Sequence, residues 1–436
     1  MWHWLTSRPR SRSDEQPLTE RPPCLVQFLI GRGGGGHQAT ARAVRDCLIR
    51  QKVPWAEDVE FVDAGYLFDS IITRRQAQAG KFDCDDLYNW FMKNGCYRLA
   101  SLSGPISLLI MKLCGSRLRR GLEIYFLSQQ PDAVVSFVPF SGDILRDALL
   151  RACPTAPLLT VVTDMEHSSF GGHSWIPPFD PRTSVNHTIV AGSELLQTQA
   201  AELGYPPLHI LATSGMVVHP DYYEAAEAAT APTQDRSAPP ADLATEATGI
   251  VFFGGFAPTA VVLSLVGRAL ASHATLMLVV ICGGNSELVS LLKAWEETRL
   301  AVEGFIPPSR IREIFRQADF VIGKPGPGVV AEALVCGVPY VTEASTPLSQ
   351  EVCVLDWLRS SGVGVLVSSF DALPVDLISR CSQAREAARY IQNRAVFELT
   401  DHLASIVPEA GQARRHITST EVSLSRTPSL VFSEDM

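Results

Sequence analysis

The sequence predicts an α/β protein of two doubly wound domains, each a parallel sheet covered by helices on both faces, that face each other across a cleft. Short apolar runs alternate with amphipathic stretches from residue 24 to 407, as in parallel sheets whose strands are buried on both faces. A segment rich in Ala, Thr and Pro, residues 224–248, divides this alternation into two series. The length of 436 residues also exceeds that of one ordinary domain.

The first series, residues 24–223, begins with an apolar strand at 25–30 and a helix at 38–51, in which Val44 and Leu48 lie on one face. A second strand covers 59–62 and ends at Asp63. Further strands are predicted at 133–138, 158–162 and 188–190.

The second series, residues 249–407, contains the same alternation and ends with one closing helix at 376–406. Order resumes at residues 249–255, and strands are predicted at 275–282, 300–303, 320–322, 340–342 and 364–367. Residues 1–23 and 408–436 lack apolar periodicity and are predicted to be disordered tails, and 224–248 to be a flexible linker or insertion.

Composition excludes several classes of protein. A net charge of −9 argues against nucleic acid as the main partner. The ten cysteines form no Cys-x-x-Cys pair, which favours reduced thiols over a disulfide framework or a zinc site. Residues 1–23 have no apolar centre and do not resemble a secretory signal. No apolar run is expected to reach the roughly 18 residues needed to span a bilayer, and residues 99–114 come nearest.

A glycine- and proline-rich turn follows the strand at 320–322. It reads Gly323-Lys324-Pro325-Gly326-Pro327-Gly328 and opens a short helix that Gly337 and Pro339 end. Such a helix start presents bare N–H groups that can bind a phosphate, and Glu332, expected in the first turn, can receive sugar hydroxyls. The alternative is a plain strand–turn–helix connection.

A second glycine cluster, Gly31-Arg32-Gly33-Gly34-Gly35-Gly36-His37, follows the first strand. Its Gly31, Gly33 and Gly36 fit the G-x-G-x-x-G pattern of nicotinamide oxidoreductases, although Asp63 lies 27 residues beyond Gly36 instead of about 20. Four consecutive glycines before His37 better fit bare backbone against a diphosphate or acceptor, with an imidazole at the helix start. His37 packing on its own loop is the alternative.

Polar groups also follow other predicted strands, where ligands of open α/β sheets bind. Asp164 or His167, in Thr163-Asp164-Met165-Glu166-His167, can face the cleft, although Asp164 can equally cap the next turn. Gly304-Phe305-Ile306-Pro307 offers a backbone edge to a uracil-like base, or is a plain turn. Gln350 and Glu351 can hold sugar hydroxyls, or begin a solvated helix.

Taken together, these segments resemble the diacylglycerol glycosyltransferases of the GT-B fold, in particular the monogalactosyldiacylglycerol synthases, with the peptidoglycan N-acetylglucosaminyltransferase as a more distant relative. The resemblance covers residues 24–400 without the 224–248 segment. The motifs that carry it lie at 33–37, 87–95, 162–164, 281–285, 304–306, 323–333, 337–339 and 350–351.

The resemblance implies two Rossmann-like domains with a lipid acceptor on the first and a UDP-sugar on the second. It implies an inverting transfer of a hexose to a lipid hydroxyl, most simply that of diacylglycerol, without a metal or other cofactor. The implied contacts are Phe305 and Ile306 with uracil, Glu332 with ribose, Gly326, Pro327 and Gly328 with diphosphate, Gln350 and Glu351 with the sugar, and Gly34, Gly35, Gly36, Gly254 and Gly255 with substrate.

The chain departs from these synthases at three points. Arg32 replaces an acidic residue before the glycine cluster, and Val354 replaces an asparagine. Phe256, Ala257 and Pro258 follow Gly254 and Gly255 where the synthases carry further glycines. Because the acidic candidate base is missing, His37 becomes the expected base, with Asp164 in reserve. A catalytically impaired UDP-sugar-binding protein is the alternative function. The sugar stays open among glucose, galactose and an N-acetylated hexose.

The apolar segment 99–114 is followed by Arg117, Arg119 and Arg120. An apolar face flanked by basic residues can lie at a lipid interface, so peripheral membrane contact through residues 99–120 is predicted, with an ordinary buried helix as the alternative. The predicted compartment is reducing, either cytosol or plastid.

Overall fold

The computed structural model describes residues 24–33, 35–73, 84–94, 96–100, 102–165, 174–223, 247–255, 257–346 and 348–407. The predicted tails at 1–23 and 408–436, and residues 224–246 of the predicted linker, lie outside these ranges. Residues 247 and 248 belong to a strand, so the linker prediction is wrong for these two positions.

Within these ranges, the first half contains a six-stranded parallel sheet in the order β2-β1-β3-β4-β5-β6. Strand β1 lies between β2 and β3 and is buried along four of its five residues, which explains its continuous apolar run. The strands are β1 (Val26–Ile30), β2 (Glu60–Asp63), β3 (Ala133–Ser136), β4 (Leu158–Val161), β5 (His187–Ala191) and β6 (Ile210–Ala212).

Helices cover both faces of this sheet. Helix α1 buries Ala41, Val44, Cys47 and Leu48, which repeat at helical spacing. The helices are α1 (Gly36–Arg50), α2 (Ala64–Thr73), α3 (Cys84–Lys93), α4 (Tyr97–Ala100), α5 (Ser103–Gln129), α6 (Gly142–Ala152) and α7 (Glu194–Glu202).

The described part of the second half contains another six-stranded parallel sheet, in the order β12-β11-β10-β7-β8-β9. The strands are β7 (Ala247–Phe252), β8 (Leu276–Ile281), β9 (Leu300–Glu303), β10 (Phe320–Ile322), β11 (Tyr340–Glu343) and β12 (Gly364–Val367). The helices are α8 (Thr259–Ser272), α9 (Ser286–Lys293), α10 (Pro308–Arg316), α11 (Pro327–Val335), α12 (Ser349–Ser361), α13 (Leu377–Ala388) and α14 (Ala395–Ile406). The predicted fold class is confirmed.

The single closing helix predicted at 376–406 is two helices, α13 and α14. Asn393 lies between them and is 8% exposed. Its Nδ2 donates to the carbonyl of Met216 over 2.8 Å, and its Oδ1 accepts from the N–H of Ala395 over 3.0 Å. The Asn393 side chain therefore bonds to backbone groups, and such hydrogen bonds compete with those of a continuous helix. This competition favours a break between α13 and α14.

Helix α14 packs on the first half of the chain although it follows the second sheet. Leu399, Leu403 and Val407 join the core formed by β1, β3 and α1. The Thr400 hydroxyl lies 3.4 Å from the Cys47 thiol, and Gln51 donates to Asp401 over 2.8 Å. The chain therefore crosses between the two halves a second time at its C-terminal end.

The two halves share one apolar core. Residues of the first half such as Trp175 and Met216 belong to the same buried cluster as Phe252, Phe315 and Val330 of the second. This continuous packing fixes the carboxyl ends of both sheets relative to each other.

The segment Arg98–Gln129 is long and apolar enough to cross a membrane by length and composition. The expectation that no segment reaches this length is therefore corrected. The mean hydropathy of the helix stays high although it contains polar residues such as Lys112. A core helix of a soluble protein or a signal sequence can have the same length and composition. Six of the described cysteines are free thiols: Cys47, Cys96, Cys114, Cys282, Cys336 and Cys381.

Candidate functional site at the strand ends

The loop between β10 and α11 forms the predicted open helix start. Gly326 is the N-terminal cap in an extended conformation, and Pro327 is the first helical residue, a position where no N–H is needed. A side chain on Gly328 would contact nothing within 4 Å. The first turn of α11 therefore presents backbone N–H groups to open space.

Helix α11 ends as the sequence indicates. Gly337 has φ of 70°, and its N–H donates to Leu334, while the N–H of Val338 donates to Ala333. This pair of hydrogen bonds is the Schellman arrangement, which favours glycine at the left-handed position.

Glu332 lies farther along α11 than expected. The helix begins at Pro327, so Glu332 is its sixth residue and lies in the second turn, which corrects the first-turn prediction. Burial raises the pKa of Glu332 to about 7, while the neighbouring Tyr222 hydroxyl lowers it. This carboxyl group therefore changes charge near neutral pH.

Lys324 is a site residue that the sequence reasoning did not single out. Its Nζ forms an ion pair with Glu351 Oε1 over 2.9 Å, and Thr346 donates to Glu351 Oε2 over 2.8 Å. Glu351 is only 2% exposed. A side-chain atom added to Gly326 would lie 3.4 Å from Lys324 Nζ, so the ammonium group lies beside the start of α11. The sequence did contain a signal for Lys324, because it is the one charged residue of the glycine- and proline-rich loop at 323–328.

A second glycine turn lies beside this helix start. Gly254 has φ of 80°, and its Cβ position would be 3.7 Å from Val329 in the first turn of α11. The carbonyl of Gly255 accepts from the N–H of Gly284, whose neighbour Gly283 approaches so closely that a side chain would collide with Gly255. Gly254 and Gly255 are thus brought to the same strand ends as Gly326.

Phe305 and Ile306 follow β9 at this same edge of the sheet. The Phe305 side chain is 81% exposed, whereas Ile306 is half-buried against the shared core. Phe305 therefore offers an uncovered aromatic ring, and Ile306 anchors the turn.

His37 lies at the start of α1 in the first half. Gly35 caps this helix with φ of 79°, and side chains at Gly35 or Gly36 would contact nothing within 4 Å. His37 Nδ1 is hydrogen-bonded to Thr163 Oγ1 over 3.0 Å, and its ring centre is 5.5 Å from that of Trp175. The ring is thus held in place, and packing on its own loop does not describe it.

Asp164 connects the two halves of the site. Burial raises the pKa of its carboxyl group, while His37, then Lys324, and the indole N–H of Trp175 lower it, and Glu351 raises it further. His37 belongs to the first half and Lys324 and Glu351 to the second. The charges of both halves therefore meet at Asp164.

Arg32, which replaces the acidic residue of the synthases, points to Asp63. Its Nε lies 3.1 Å from Asp63 Oδ2, and its guanidinium lies 4.3 Å from the ring centre of Tyr66. Asp63 also accepts from the N–H of Tyr66 at the start of α2. Because the Asp63 carboxylate is engaged twice, the structure does not support its use for a ribose hydroxyl in a dinucleotide site.

Some of the predicted site residues lie outside the part of the chain that the structure describes. Gly34, Glu166 and His167 are not among the described residues, and Gln350 is described only as part of the backbone of α12. No group of three or more His, Cys, Asp or Glu side chains in the described ranges is placed to hold a metal ion.

Comparison with known proteins supports the resemblance stated from the motifs. No family model matches the chain. The chain is 23% identical over 424 residues to the probable monogalactosyldiacylglycerol synthase 3 of Oryza sativa subsp. japonica, which covers 88% of this chain and 75% of that protein. It is 23% identical over 419 residues to the monogalactosyldiacylglycerol synthase of Spinacia oleracea, which covers 88% of this chain and 73% of that protein.

Among solved structures, the complex of S. aureus MnaA with UDP has a TM-score of 0.51 at 12% identity and covers 92% of this chain and 100% of that one. This likeness supports the two-domain Rossmann-like fold. The suspected relation to the synthases is confirmed by the sequence comparisons.

Proposed function

We propose that this chain is an inverting glycosyltransferase that transfers a hexosyl group from a UDP-sugar to a lipid hydroxyl, with diacylglycerol as the acceptor. The similarity to monogalactosyldiacylglycerol synthases over 88% of the chain supports a UDP-sugar-dependent hexosyltransferase. The observation that carries the proposal is the meeting of His37 and Asp164 from one half with Lys324 and Glu351 from the other.

In the proposed donor site, each part of the UDP-sugar lies against a different strand end of the second sheet. Uracil lies at Phe305 and Ile306, ribose at Glu332, and the sugar at Glu351 and Gln350. The diphosphate lies at Gly326, Pro327 and Gly328, where the helix start and Lys324 supply positive charge.

In the proposed reaction, the acceptor hydroxyl loses its proton to His37 or Asp164. Its oxygen attacks the anomeric carbon from the face opposite UDP and forms the new glycosidic bond. The bond between that carbon and the phosphate oxygen breaks, and UDP leaves with the electron pair. When Nδ1 of His37 is bonded to Thr163, Nε2 is the nitrogen that can take up the proton.

The leaving diphosphate needs stabilisation of its negative charge. The N–H groups of α11 and the Lys324 ammonium supply it in the proposal, because preorganised donors cost no rearrangement during the reaction. The proposal includes no metal ion.

The decisive experiment is calorimetric titration of the protein with UDP, together with a transfer assay over UDP-glucose, UDP-galactose and UDP-N-acetylglucosamine with diacylglycerol vesicles. We expect UDP binding that Glu332→Ala weakens and that the exposed Glu287→Ala does not. His37→Ala and Asp164→Asn should keep UDP binding, and at least one should lower turnover by about 10²- to 10⁴-fold. Absence of UDP binding by the unaltered protein would refute the proposal.

A UDP-sugar-binding protein without catalysis is the second candidate, because Arg32 stands where the synthases carry an acidic residue. The Arg32 guanidinium forms an ion pair with Asp63. The glycine cluster at residues 31–37 has no acidic residue in its sequence that could accept a proton. Tight UDP binding without transfer to any acceptor in the same assay would favour this candidate.

We propose that the protein contacts a membrane surface through one face of α4 and α5. Five exposed apolar side chains recur every three or four residues along α4 and the start of α5, and those within α5 lie on one side of the helix. They are Leu99 in α4, Leu102 just before α5, and Ile106, Leu109 and Leu113 in α5, which are 49–76% exposed. We call this set the apolar stripe. Arg98, Lys112, Arg117 and Arg120 are exposed near it and can meet anionic headgroups.

The other end of α5 favours contact along the surface over a membrane-spanning position. Leu118, Leu122 and Phe126 are fully buried in the core with α2 and α6. A helix anchored in this way can lay only its exposed part at a lipid interface.

Vesicles containing phosphatidylglycerol test this contact by co-sedimentation. We expect that changing Leu102, Ile106, Leu109 and Leu113 to Ser abolishes binding. A control protein with three exposed apolar residues changed elsewhere, Leu208, Val375 and Tyr390 to Ser, should sediment like the unaltered protein. Equal sedimentation of all three proteins would refute the membrane contact.

We propose a plastid location. The relatives reported above include proteins described as chloroplastic. Free thiols such as Cys47, Cys96 and Cys114 fit a reducing compartment.

A further inference from the structure

Tyr222 belongs to the segment that leaves the first half of the chain, and it is buried within the shared core. It lies in the short 3-10 turn Pro220–Tyr222, is 1% exposed, and packs its ring 6.3 Å from that of Phe315. Its hydroxyl has no hydrogen-bond partner of normal geometry among the described residues. A buried donor without a partner is costly, so this hydroxyl calls for an explanation.

Tyr222 packs in the same buried cluster as Val330, Ala331 and Ala333, the neighbours of Glu332 on α11. The Tyr222 hydroxyl and the Glu332 carboxyl group are close enough that the hydroxyl lowers the pKa of Glu332, while the carboxyl group raises that of Tyr222. Among described titratable groups, Cys336 at the end of α11, Tyr340 on β11 and Asp221 beside Tyr222 also act on this pair. The Tyr340 hydroxyl donates instead to the carbonyl of Lys324 over 2.8 Å, so Tyr222 is the tyrosine of this set whose hydroxyl acts on Glu332.

The backbone around Tyr222 is fixed to both halves. Arg312 of α10 donates to the carbonyl of Asp221 over 2.7 Å. His219 Nε2 lies 3.1 Å from Asp46 of α1, and Arg50 of the same helix forms an ion pair with Asp221. The position of the Tyr222 hydroxyl is therefore set by contacts with α1 and α10 and not by α11 itself.

We infer that Tyr222 is a positioning residue of the donor site, whose hydroxyl donates to Glu332 and holds its carboxylate where ribose hydroxyls reach it. The inference rests on the proposed function, since it assigns the ribose to Glu332. If Tyr222 has this role, the segment that leaves the first half of the chain at Pro220–Tyr222 takes part in nucleotide recognition.

The test is the pH dependence of UDP affinity between pH 5.5 and 9. A carboxylate that accepts ribose hydroxyls binds best when ionised, so affinity in the unaltered protein should rise through pH 7. Without the Tyr222 hydroxyl, the carboxyl group ionises at higher pH. Tyr222→Phe should therefore shift the midpoint upward and weaken UDP binding at pH 7 roughly tenfold, the effect of one charge-assisted hydrogen bond.

Tyr223→Phe is the matched control, because Tyr223 is the neighbouring tyrosine and packs instead on Phe397. Its profile should match that of the unaltered protein. Superimposable profiles for Tyr222→Phe and the unaltered protein would overturn the inference. A profile in Glu332→Gln that still rises through pH 7 would overturn it as well.

Unfolding measurements keep the inference testable without any ligand. The pH at which ionisation of Glu332 affects the free energy of unfolding should rise in Tyr222→Phe and stay unchanged in Tyr223→Phe. If the protein binds no UDP, the proposed function fails, whereas this unfolding comparison still decides whether Tyr222 acts on Glu332. Identical unfolding profiles would overturn the inference.

Discussion

At the scale of single residues, the candidate site is built from carboxyl groups that are removed from water to different degrees. Glu351 is fully buried and held by a cation and a hydroxyl. Glu332 forms no ion pair with a described residue, and burial raises its pKa to about 7. Asp164 lies between the two cases, since burial is opposed by His37 and Lys324. Burial and neighbouring charges therefore give each of these carboxyl groups a different environment.

Lys324→Met should lower the free energy of unfolding by about 3 kcal/mol, because it leaves the buried Glu351 carboxylate without its cation. The exposed Lys293→Met should change it by no more than about 0.5 kcal/mol. Denaturant unfolding at pH 8 measures both. Adding Glu351→Gln to Lys324→Met should recover part of the loss, and a double variant as unstable as the sum of the single changes would contradict a direct pair.

Glu332→Gln should stabilise the protein at pH 8 and leave its stability unchanged at pH 4. The pKa of Glu332 rises from 4.5 to about 7 on folding, so the folded state binds this proton more tightly than the unfolded state does. The resulting destabilisation is absent below pH 4.5, grows as pH rises towards 7 and is complete above that. It amounts to at most about 3 kcal/mol.

Denaturant unfolding across this pH range measures the effect. The exposed Glu287→Gln should leave the difference in stability between pH 4 and pH 8 as it is in the unaltered protein. A Glu332→Gln protein with that same difference would show that Glu332 ionises normally in the folded state.

At the scale of elements, the connection from β10 to α11 was the best predicted part of the site. The strand, the helix start at Pro327 and the end at Gly337 follow from residue types, because proline and glycine restrict or release the backbone locally. The helical turn of Glu332 was predicted wrongly because it depends on the residue at which α11 begins. Helix boundaries are uncertain by one or two residues.

Two glycines of this connection should respond differently to alanine. In Gly323→Ala the new methyl group would overlap the carbonyl oxygen of Phe252 and lie 2.9 Å from the Tyr340 hydroxyl. We expect a loss of about 1–3 kcal/mol in the free energy of unfolding. Gly328→Ala has open space and should not destabilise the protein, but its methyl group would occupy the proposed diphosphate site and weaken UDP binding.

Thermal unfolding and UDP titration of both variants measure these effects. Gly328→Ala with unaltered UDP affinity would argue against the diphosphate at this helix start. Gly323→Ala with unaltered stability would show that Phe252 and Tyr340 can move away.

At the scale of the whole molecule, helix α14 joins the second half of the chain to the core of the first. Its buried Leu399 and Leu403 pack with β1, β3 and α1. The helix pattern was visible in the sequence, but the half that α14 covers was not, since an apolar helix face fits any complementary core. The predicted domain boundary at 407 stays a prediction.

Leu403→Ala should destabilise the first half by about 2–5 kcal/mol, because Leu403 is fully buried in its core. Hydrogen exchange should become faster in β1 and α1 and change less in β7 and β8. Leu208→Ala, at an 87% exposed position, is the control and should leave exchange unchanged. Faster exchange confined to the second half would contradict this packing of α14.

The sequence by itself determined the fold class, the strand–loop–helix units and the strand ends at which polar groups collect. These depend on local rules: apolar periodicity, the backbone freedom of glycine and the fixed φ of proline. It also pointed to His37, Asp164 and Glu351.

Only the tertiary structure decided which of these groups meet. The pairing of Lys324 with Glu351, the position of Asp164 between the two halves, the engagement of Arg32 with Asp63 and the approach of Tyr222 to Glu332 join residues far apart in the chain. No local pattern encodes such contacts, because they depend on how the two sheets are packed around their shared core.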